Sequence, residues 1–234
     1  MRTILIMGSS GGLGKHLTDF FADKDVRLAL HYFENKPTKV PANAQLFKAD
    51  IRKEKEVKDL IDSVIKSFNT IDIIVNNAGI SKSEMSWKAS QQNWEDTIAI
   101  NLTGPFYVAK HALPHMRENQ FGRIIFMSSI VAQTGFIGAS AYGASKAGLI
   151  GLTKSMAKEV ANKNITVNSI ALGYFNAGMI NDVPAQMQEE LMKQIPMNEL
   201  GDPVQLAKLI EYLSTDEAAY LTGQTLNLNG GLYS

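Results

Sequence analysis

Short apolar runs alternate with longer amphipathic stretches along the whole chain. Runs over Thr3–Met7, Val26–Tyr32, Gln45–Ala49, Ile71–Asn76, Arg123–Ser128, Thr166–Ala171 and Thr225–Leu228 predict strands. Several are β-branched and continuous rather than alternating, as parallel strands buried on both faces require. Between them, helical periodicity predicts helices over Gly14–Ala22, Lys53–Phe68, Asn93–Glu118, Ala141–Asn162 and Pro203–Ser214. Asp202-Pro203 reads as a helix start, with Asp at the N-cap and Pro in the first helical position. No internal repeat or Pro/Gly/Ser-rich linker divides the chain. The expected fold is therefore α/β: one Rossmann-type, doubly wound parallel sheet of about seven strands with helices on both faces, spanning residues 1–234.

Composition narrows the chemistry. The 23 Lys+Arg balance the 23 Asp+Glu, so nothing favours nucleic acid or an anionic membrane as partner. The absence of Cys removes disulfides, zinc–thiolate sites, iron–sulfur clusters and a Cys nucleophile. No apolar run is long enough for a membrane span or a signal-peptide core, so a soluble, cytoplasmic protein is expected. His111 and His115 have the spacing of metal ligands on a helix, but Pro114 lies between them and no Glu completes an H-E-x-x-H pattern. No metal is expected there. Arg52-Lys53-Glu54-Lys55-Glu56 mixes both signs and reads as the solvated opening of a helix.

The first predicted strand runs into Gly8-Ser9-Ser10-Gly11-Gly12-Leu13-Gly14, and a helix follows. Glycines here permit the turn off the strand, the approach of a pyrophosphate to the backbone and close helix–strand packing. The helix start then presents unpaired N–H groups and its positive dipole end to phosphate. Gly8, Ser10, Gly11, Gly12, Leu13 and Gly14 are thus expected against a dinucleotide. Asp50-Ile51 closes the third strand, where the carboxylate can accept from an adenine amino group. Asn77-Ala78-Gly79 follows the fourth, with small residues suited to a ribose.

Tyr142 and Lys146 are four apart in Tyr142-Gly143-Ala144-Ser145-Lys146, on one face of a helix. A free phenol has a pKa of about 10, so only about one in a thousand is ionised at neutral pH. A neighbouring ammonium favours the phenolate, which makes Tyr142 a general acid/base. Ser129 closes the fifth strand and can hold a carbonyl beside that phenol. Asn101, inside a helical stretch where Asn is unfavourable, implies a task for its side chain.

Taken together, these residues resemble the short-chain dehydrogenase/reductase family over essentially the whole chain. The motifs are G-x-x-x-G-x-G, N-N-A-G, the Asn of N-x-x-G, the second Ser of S-S and Y-x-x-x-K, in family order. The resemblance implies that Tyr142 exchanges the proton while Lys146 lowers its pKa and holds the nicotinamide ribose. It also implies that Ser129 orients the carbonyl and that Asn101 holds a relay water. Ser145–Gly151, Ile165–Asn168, Asp216–Gln224 and Asn229-Gly230-Gly231 are similar to segments of the 3-oxoacyl-[acyl-carrier-protein] reductases, which implies a homotetramer reducing a 3-oxoacyl thioester with NADPH. Reduction or oxidation of another alcohol/ketone pair (sugar, steroid or small secondary alcohol) and a non-catalytic nucleotide-binding regulator remain alternatives.

Departures from the family pattern shape further expectations. Met7 stands where a Thr is usual, and Leu172-Gly173 replaces Pro-Gly. Ala177 replaces the Thr that contacts the carboxamide, leaving the Phe175 backbone amide to bind it. The second strand ends in His31-Tyr32 with no Asp, and the family's basic loop residue is Gly11, so His31, Lys15 and Lys36 are the possible basic substitutes. The missing acid favours NADP(H) over NAD(H). Arg123, Lys154, Lys158 and Lys163 are the residues available to dock an acidic carrier protein, while Gln120 occupies a position often Arg. The stretch from about 174 to 202, centred on the Met-bearing Ile180–Pro196, is expected to cover the substrate.

Overall fold

A computed structural model describes the chain from Met1 to Ser234, the side chain of Asp182 excepted. Seven parallel strands form one sheet: β1 (Arg2–Met7), β2 (Val26–Tyr32), β3 (Ala44–Lys48), β4 (Ile73–Asn76), β5 (Gly122–Ser129), β6 (Ile165–Leu172) and β7 (Thr225–Leu228). Their order is β3-β2-β1-β4-β5-β6-β7. The helices are α1 (Gly12–Phe21), α2 (Glu54–Phe68), α3 (Gln91–Ile98), α4 (Gly104–Glu118), α5 (Val131–Thr134), α6 (Ser140–Val160), α7 (Ala185–Gln194) and α8 (Pro203–Leu213).

The continuous apolar strands are buried on both faces, for the reason their sequence implied. Leu5, Met7, Ile74, Ile124 and Phe126 point to one side, where α2, α4 and α6 supply Leu60, Ile61, Val108, Ala112 and Leu149. Ile4, Ile6, Val75, Ile125 and Ile170 point to the other, against Leu17 and Phe21 of α1 and Leu206 and Ile210 of α8. At the start of α8, Asp202 accepts from the Val204 N–H and Gln205 returns a bond to Asp202, completing the cap foreseen there.

Two expectations change. The helix expected over Asn93–Glu118 is interrupted by a π-helical turn, Ala99–Thr103, between α3 and α4. The wider turn aims the Asn101 amide inward, and Gly104 at its exit lets Ile51 pack against the backbone. The fourth strand starts at Ile73 rather than Ile71; just before it the Asp72 carboxylate accepts from the Thr3 N–H and the Thr70 hydroxyl, while its backbone bonds Thr3 and Arg123.

Nor are the basic residues expected to dock a carrier protein gathered beside Tyr142. Arg123 is fully buried at the amino end of β5 and donates to the carbonyls of Gly122, Asn164 and Thr215. Its guanidinium also stacks on Phe121, 4.3 Å from the ring centroid. Because α6 runs away from the strand carboxyl ends, Lys158 lies about 24 Å along its axis from Tyr142, with Lys154 between them and Lys163 just beyond the helix.

Replacing Arg123 by Met leaves three carbonyls without their donor, so urea unfolding should show a loss of about 1–3 kcal/mol. Lys158→Ala, on the exposed side of α6, should change stability by less than about 0.5 kcal/mol in the same titration.

Candidate active site

The strand order reverses between β1 and β4, so their following segments leave towards opposite faces and open a crevice at the carboxyl ends. The glycine loop turns into it. Gly8, with φ 70°, packs against Ala78, and a Cβ at Gly14 would collide with the Gly8 carbonyl oxygen. Asn77 donates its amide to the carbonyls of Gly8 and Met7, at 3.0 and 3.3 Å, and so ties the end of β4 to the end of β1. The N-cap of α1 is Gly11, which supplies no side-chain cap, and its first turn carries no acidic residue. An uncapped N-terminus lined by glycines fits a pyrophosphate. Ser10 and Leu13 lie partly exposed along the same turn.

At the adenine end, Asp50 is almost fully buried and its carboxyl is held below the ordinary range by hydrogen bonds from the Arg52 side chain. Arg52 grips it through Nε at 2.8 Å and Nη2 at 2.7 Å. The Arg52 backbone N–H also donates to it at 3.1 Å, so both carboxylate oxygens are engaged by Arg52 in this structure. Ile51 is buried against Gly104, and Tyr32 is partly exposed at the end of β2.

His31 has a different role from the one expected. Its Nε2–H donates to the Ala49 carbonyl at 3.0 Å, and its Nδ1 accepts the Gly8 N–H at 3.1 Å. Burial pushes its pKa down, so the ring is a neutral pin between β1, β2 and the exit of β3 rather than a cation for a ribose phosphate. The two other histidines singled out are also paired: His111 with Glu54 and His115 with Asn119.

Four elements bring the proton-transfer residues together. Ser129 ends β5, and its Oγ accepts the Val131 N–H at 3.2 Å, which leaves the hydroxyl proton for another partner. Tyr142 and Lys146 lie on the first turns of α6. Asn101, wholly buried, donates to the Ile80 carbonyl and accepts the Ile80 N–H, and so fixes the loop that leaves β4. Gly79, in that loop, lies so close that a Cβ there would stand 3.5 Å from the Lys146 ammonium.

The electrostatics differ from a simple Tyr–Lys ion pair. Burial pushes the Tyr142 phenol above its ordinary value; the Ser129 hydroxyl pulls it down and the Tyr174 phenol raises it further. Burial brings the Lys146 amine down to about 8. That amine donates to the Met127 carbonyl at 2.7 Å and stands 5.5 Å from the centroid of the Tyr142 ring. Two hydroxyls without an assigned role in the sequence reading complete the framework. Ser145 donates to the Tyr142 carbonyl and accepts from Asn101, while Ser128 donates to the Lys146 carbonyl. Their positions within S-S and Y-x-x-S-K are the signal that could have found them.

The segment after β6 closes the other side. Phe175 is buried and pairs with Gly201 in a parallel bridge, while the Asn176 and Gly201 N–H groups are spent on the same pairing. Ala177 is buried, and Gly178, with φ 77°, comes against the glycine loop: a Cβ at Gly12 would stand 2.7 Å from its Cα. Backbone contact thus closes the crevice where a Thr side chain was missing. Beyond it lie a 3₁₀ turn, Gly178–Asp182, and α7.

A parallel sheet with a glycine-lined crevice and a Ser–Tyr–Lys cluster at its mouth defines a dinucleotide-dependent oxidoreductase. A family model described as enoyl-(acyl carrier protein) reductase matches residues 8–233. The chain is 35% identical to a 3-oxoacyl-[acyl-carrier-protein] reductase FabG of Staphylococcus epidermidis over 242 aligned positions, 99% of each chain. It is 36% identical to Nodulation protein G of Rhizobium sp. (strain N33), over 99% of this chain and 96% of that one. The FabG of Thermotoga maritima is 32% identical, over 99% and 97%. The chain belongs to the short-chain dehydrogenase/reductase family and is an NAD(P)-dependent oxidoreductase.

The neutral His31 has a pH consequence. Its folded pKa lies below the unfolded value of about 6.5, so the unfolded chain binds the extra proton first as pH falls. The stability it contributes is complete above about pH 6.5 and is lost on acidification towards the folded pKa. Urea midpoints measured from pH 7.5 down to pH 5 should fall, and His31→Gln should flatten that dependence.

Proposed function

We propose that this chain reduces a 3-oxoacyl thioester to the 3-hydroxyacyl form, with NADP(H) preferred over NAD(H). The observation that carries the reading is the convergence of Ser129, Tyr142 and Lys146 beneath Gly79 at the crevice mouth. It is supported by full-length similarity to relatives named 3-oxoacyl-[acyl-carrier-protein] reductase. When bound, the reduced nicotinamide supplies a hydride to the ketone carbon. Tyr142 gives its phenolic proton to the ketone oxygen as that charge develops. Burial keeps the phenol protonated at neutral pH, so the proton is present for this direction even though burial also makes it a weaker acid. The Ser129 hydroxyl, which hydrogen-bonds the Tyr142 phenol and accepts the Val131 N–H, would turn its proton to the same oxygen and polarise the carbonyl. Lys146, anchored on the Met127 carbonyl, keeps protons for a ribose hydroxyl and for reprotonation of Tyr142. Asn101 holds the loop over that lysine and stands beside the route of the returning proton.

Gly8, Ser10, Gly11, Gly12, Leu13 and Gly14 would hold the pyrophosphate; Tyr32, Asp50, Ile51, Asn77, Ala78 and Gly79 the adenosine and ribose; Phe175 the carboxamide. With His31 neutral, Lys15 and Lys36 are the cations left to favour a ribose phosphate. The segment from about 174 to 202 covers the substrate, delivered on coenzyme A or an acyl-carrier protein in the cytoplasm. No helix among the described residues is long and apolar enough to cross a membrane. A homotetramer fits the apolar hollow that Leu102 and Phe106, before and at the start of α4, line together with Gly148, Gly151 and Leu152 of the middle of α6.

Tyr142→Phe should lower turnover at least about a hundredfold while cofactor affinity stays within about twofold, since it removes the acid and little else. Unchanged turnover would overturn the mechanism. Oxidation of NADPH and of NADH should be followed with acetoacetyl-CoA beside a panel of free ketones and sugars. Faster reaction with NADPH and the thioester is the expected result. Activity confined to free ketones or sugars would exclude the thioester reading, and cofactor binding without turnover on any member would favour a regulatory protein.

A further inference from the structure

The turn after β7, Asn229-Gly230-Gly231, has no part in the chemistry above, yet it meets the segment from about 174 to 202 at both of its stems. Gly230 and Gly231 have φ values of 64° and 85°, so the chain bends back where any other side chain is strained. Asn229 holds the bend together. Its Oδ1 accepts the Gly231 N–H at 3.0 Å, and its Nδ2 donates to the Tyr233 carbonyl at 2.9 Å. Its own carbonyl accepts the Leu232 N–H at 3.2 Å. The residue is buried, and both polar ends of its side chain are spent on this turn.

The first stem is where the segment leaves the sheet. The Gly173 N–H donates to the Leu228 carbonyl at 2.9 Å, and a Cβ at Gly173 would stand 2.7 Å from the Asn229 Cα. The second stem is where α7 ends. The Met197 N–H donates to the Gly230 carbonyl at 3.2 Å. A Cβ at Gly230 would stand 2.6 Å from Ile195 Cγ2, and one at Gly231 would stand 3.3 Å from Pro196. Between the stems the segment is tied to itself. The Gln188 amide donates to the carbonyls of Ile180 and Val183, at 2.9 and 2.7 Å, and so joins the 3₁₀ turn to α7. A piece braced internally and held at both stems takes its pose from those stems, and its front edge, Gly178, lies on Gly12 of the glycine loop.

We propose that Asn229 is a positioning residue: by closing the turn that clamps both stems, it sets how the 174–202 segment lies over the crevice. This rests on the reading that the segment covers the substrate. The side-chain bonds of Asn229 stay within its own turn, so it acts through the segment and not on the reacting atoms. An amide suits the task because one end must accept from an N–H while the other donates to a carbonyl. A carboxylate meets only the first need, and a methyl group meets neither.

The test compares wild type with Asn229→Ala and Asn229→Asp by amide hydrogen exchange, NADPH titration and kinetics on acetoacetyl-CoA. In Asn229→Ala the amides of α7 should exchange about tenfold faster, while those of β5 and β6 stay within about twofold. The NADPH Kd and the thioester KM should each rise about fivefold, with kcat within about twofold and its pH profile unmoved. Asn229→Asp keeps the acceptor for Gly231 and loses the donor to Tyr233, so it should fall between wild type and Asn229→Ala. It also carries the test if Asn229→Ala does not fold. Faster exchange throughout the sheet, or a loss confined to kcat, marks general destabilisation and overturns the positioning role. Unchanged exchange in α7 overturns it as well. Selective loosening of α7 with Kd and KM unchanged upholds the clamp and sinks the covering role of the segment instead. Should wild type act on free ketones only, the thioester reading fails by itself, and the best ketone takes the place of acetoacetyl-CoA.

Discussion

The reversal of strand order between β1 and β4 is the constraint on which the site depends. Two neighbouring parallel strands send their chains to opposite faces, so a gap opens between segments that are otherwise hydrogen-bonded in register. That gap would leave backbone groups at both strand ends without partners. Asn77 meets part of the need by donating to Gly8 and Met7, and His31 meets another part by bonding Gly8 and Ala49. With the two ends tied, α1 can start against the turn, because Gly14 brings no side chain to the Gly8 carbonyl. The rim of the crevice is stitched by buried polar side chains, and the N-terminus of α1 is left without a side-chain cap, with Gly178 packed against its first residue.

Burial, more than ion pairing, sets the poise of the reacting groups. Tyr142 and Lys146 both lie away from water, and removal of water disfavours the charged form of each. The phenol therefore tends to remain neutral and the amine titrates closer to neutrality. The amine is held by Met127 and the phenol is flanked by Ser129 and Tyr174, so neither depends on the other for its position. The backbone of α6 is fixed from beneath by Ser128, Ser145 and Asn101, and this framework places two groups on one turn with little freedom to separate.

Much of the fold was legible because it is local. A continuous apolar strand such as Ile4-Leu5-Ile6 must be covered on both sides, which already implies a sheet between helix layers. The glycine loop was legible because the required turn and close approaches tolerate few residue types. The candidate cluster was legible in part, because Tyr142 and Lys146 share a helix face by spacing alone. Arg123 was misread because a cation in sequence looks exposed; only its burial beneath three carbonyls and Phe121 shows otherwise. His31 was misread for a related reason, since a ring at a strand end looks available until both nitrogens find backbone partners. The helix over Asn93–Glu118 hid its π turn because periodicity does not register one inserted residue when Asn101 has a distant partner in Ile80.

What the amino-acid sequence determined by itself was the alternation of strands and helices, the phosphate-binding turn and the residue types able to move a proton. These follow from steric and periodic rules acting over a few residues. The tertiary structure decided which of the charged and polar side chains face the crevice and which are consumed in holding it. It also decided that burial holds the Tyr142 phenol above its ordinary value, with Ser129 and Tyr174 as the neighbours that act on it, and that Gly178 closes against Gly12 where a Thr was absent. The physical reason is common to all of these: burial and hydrogen-bond partnership depend on segments far apart in the chain, so they exist only once the strands lie side by side.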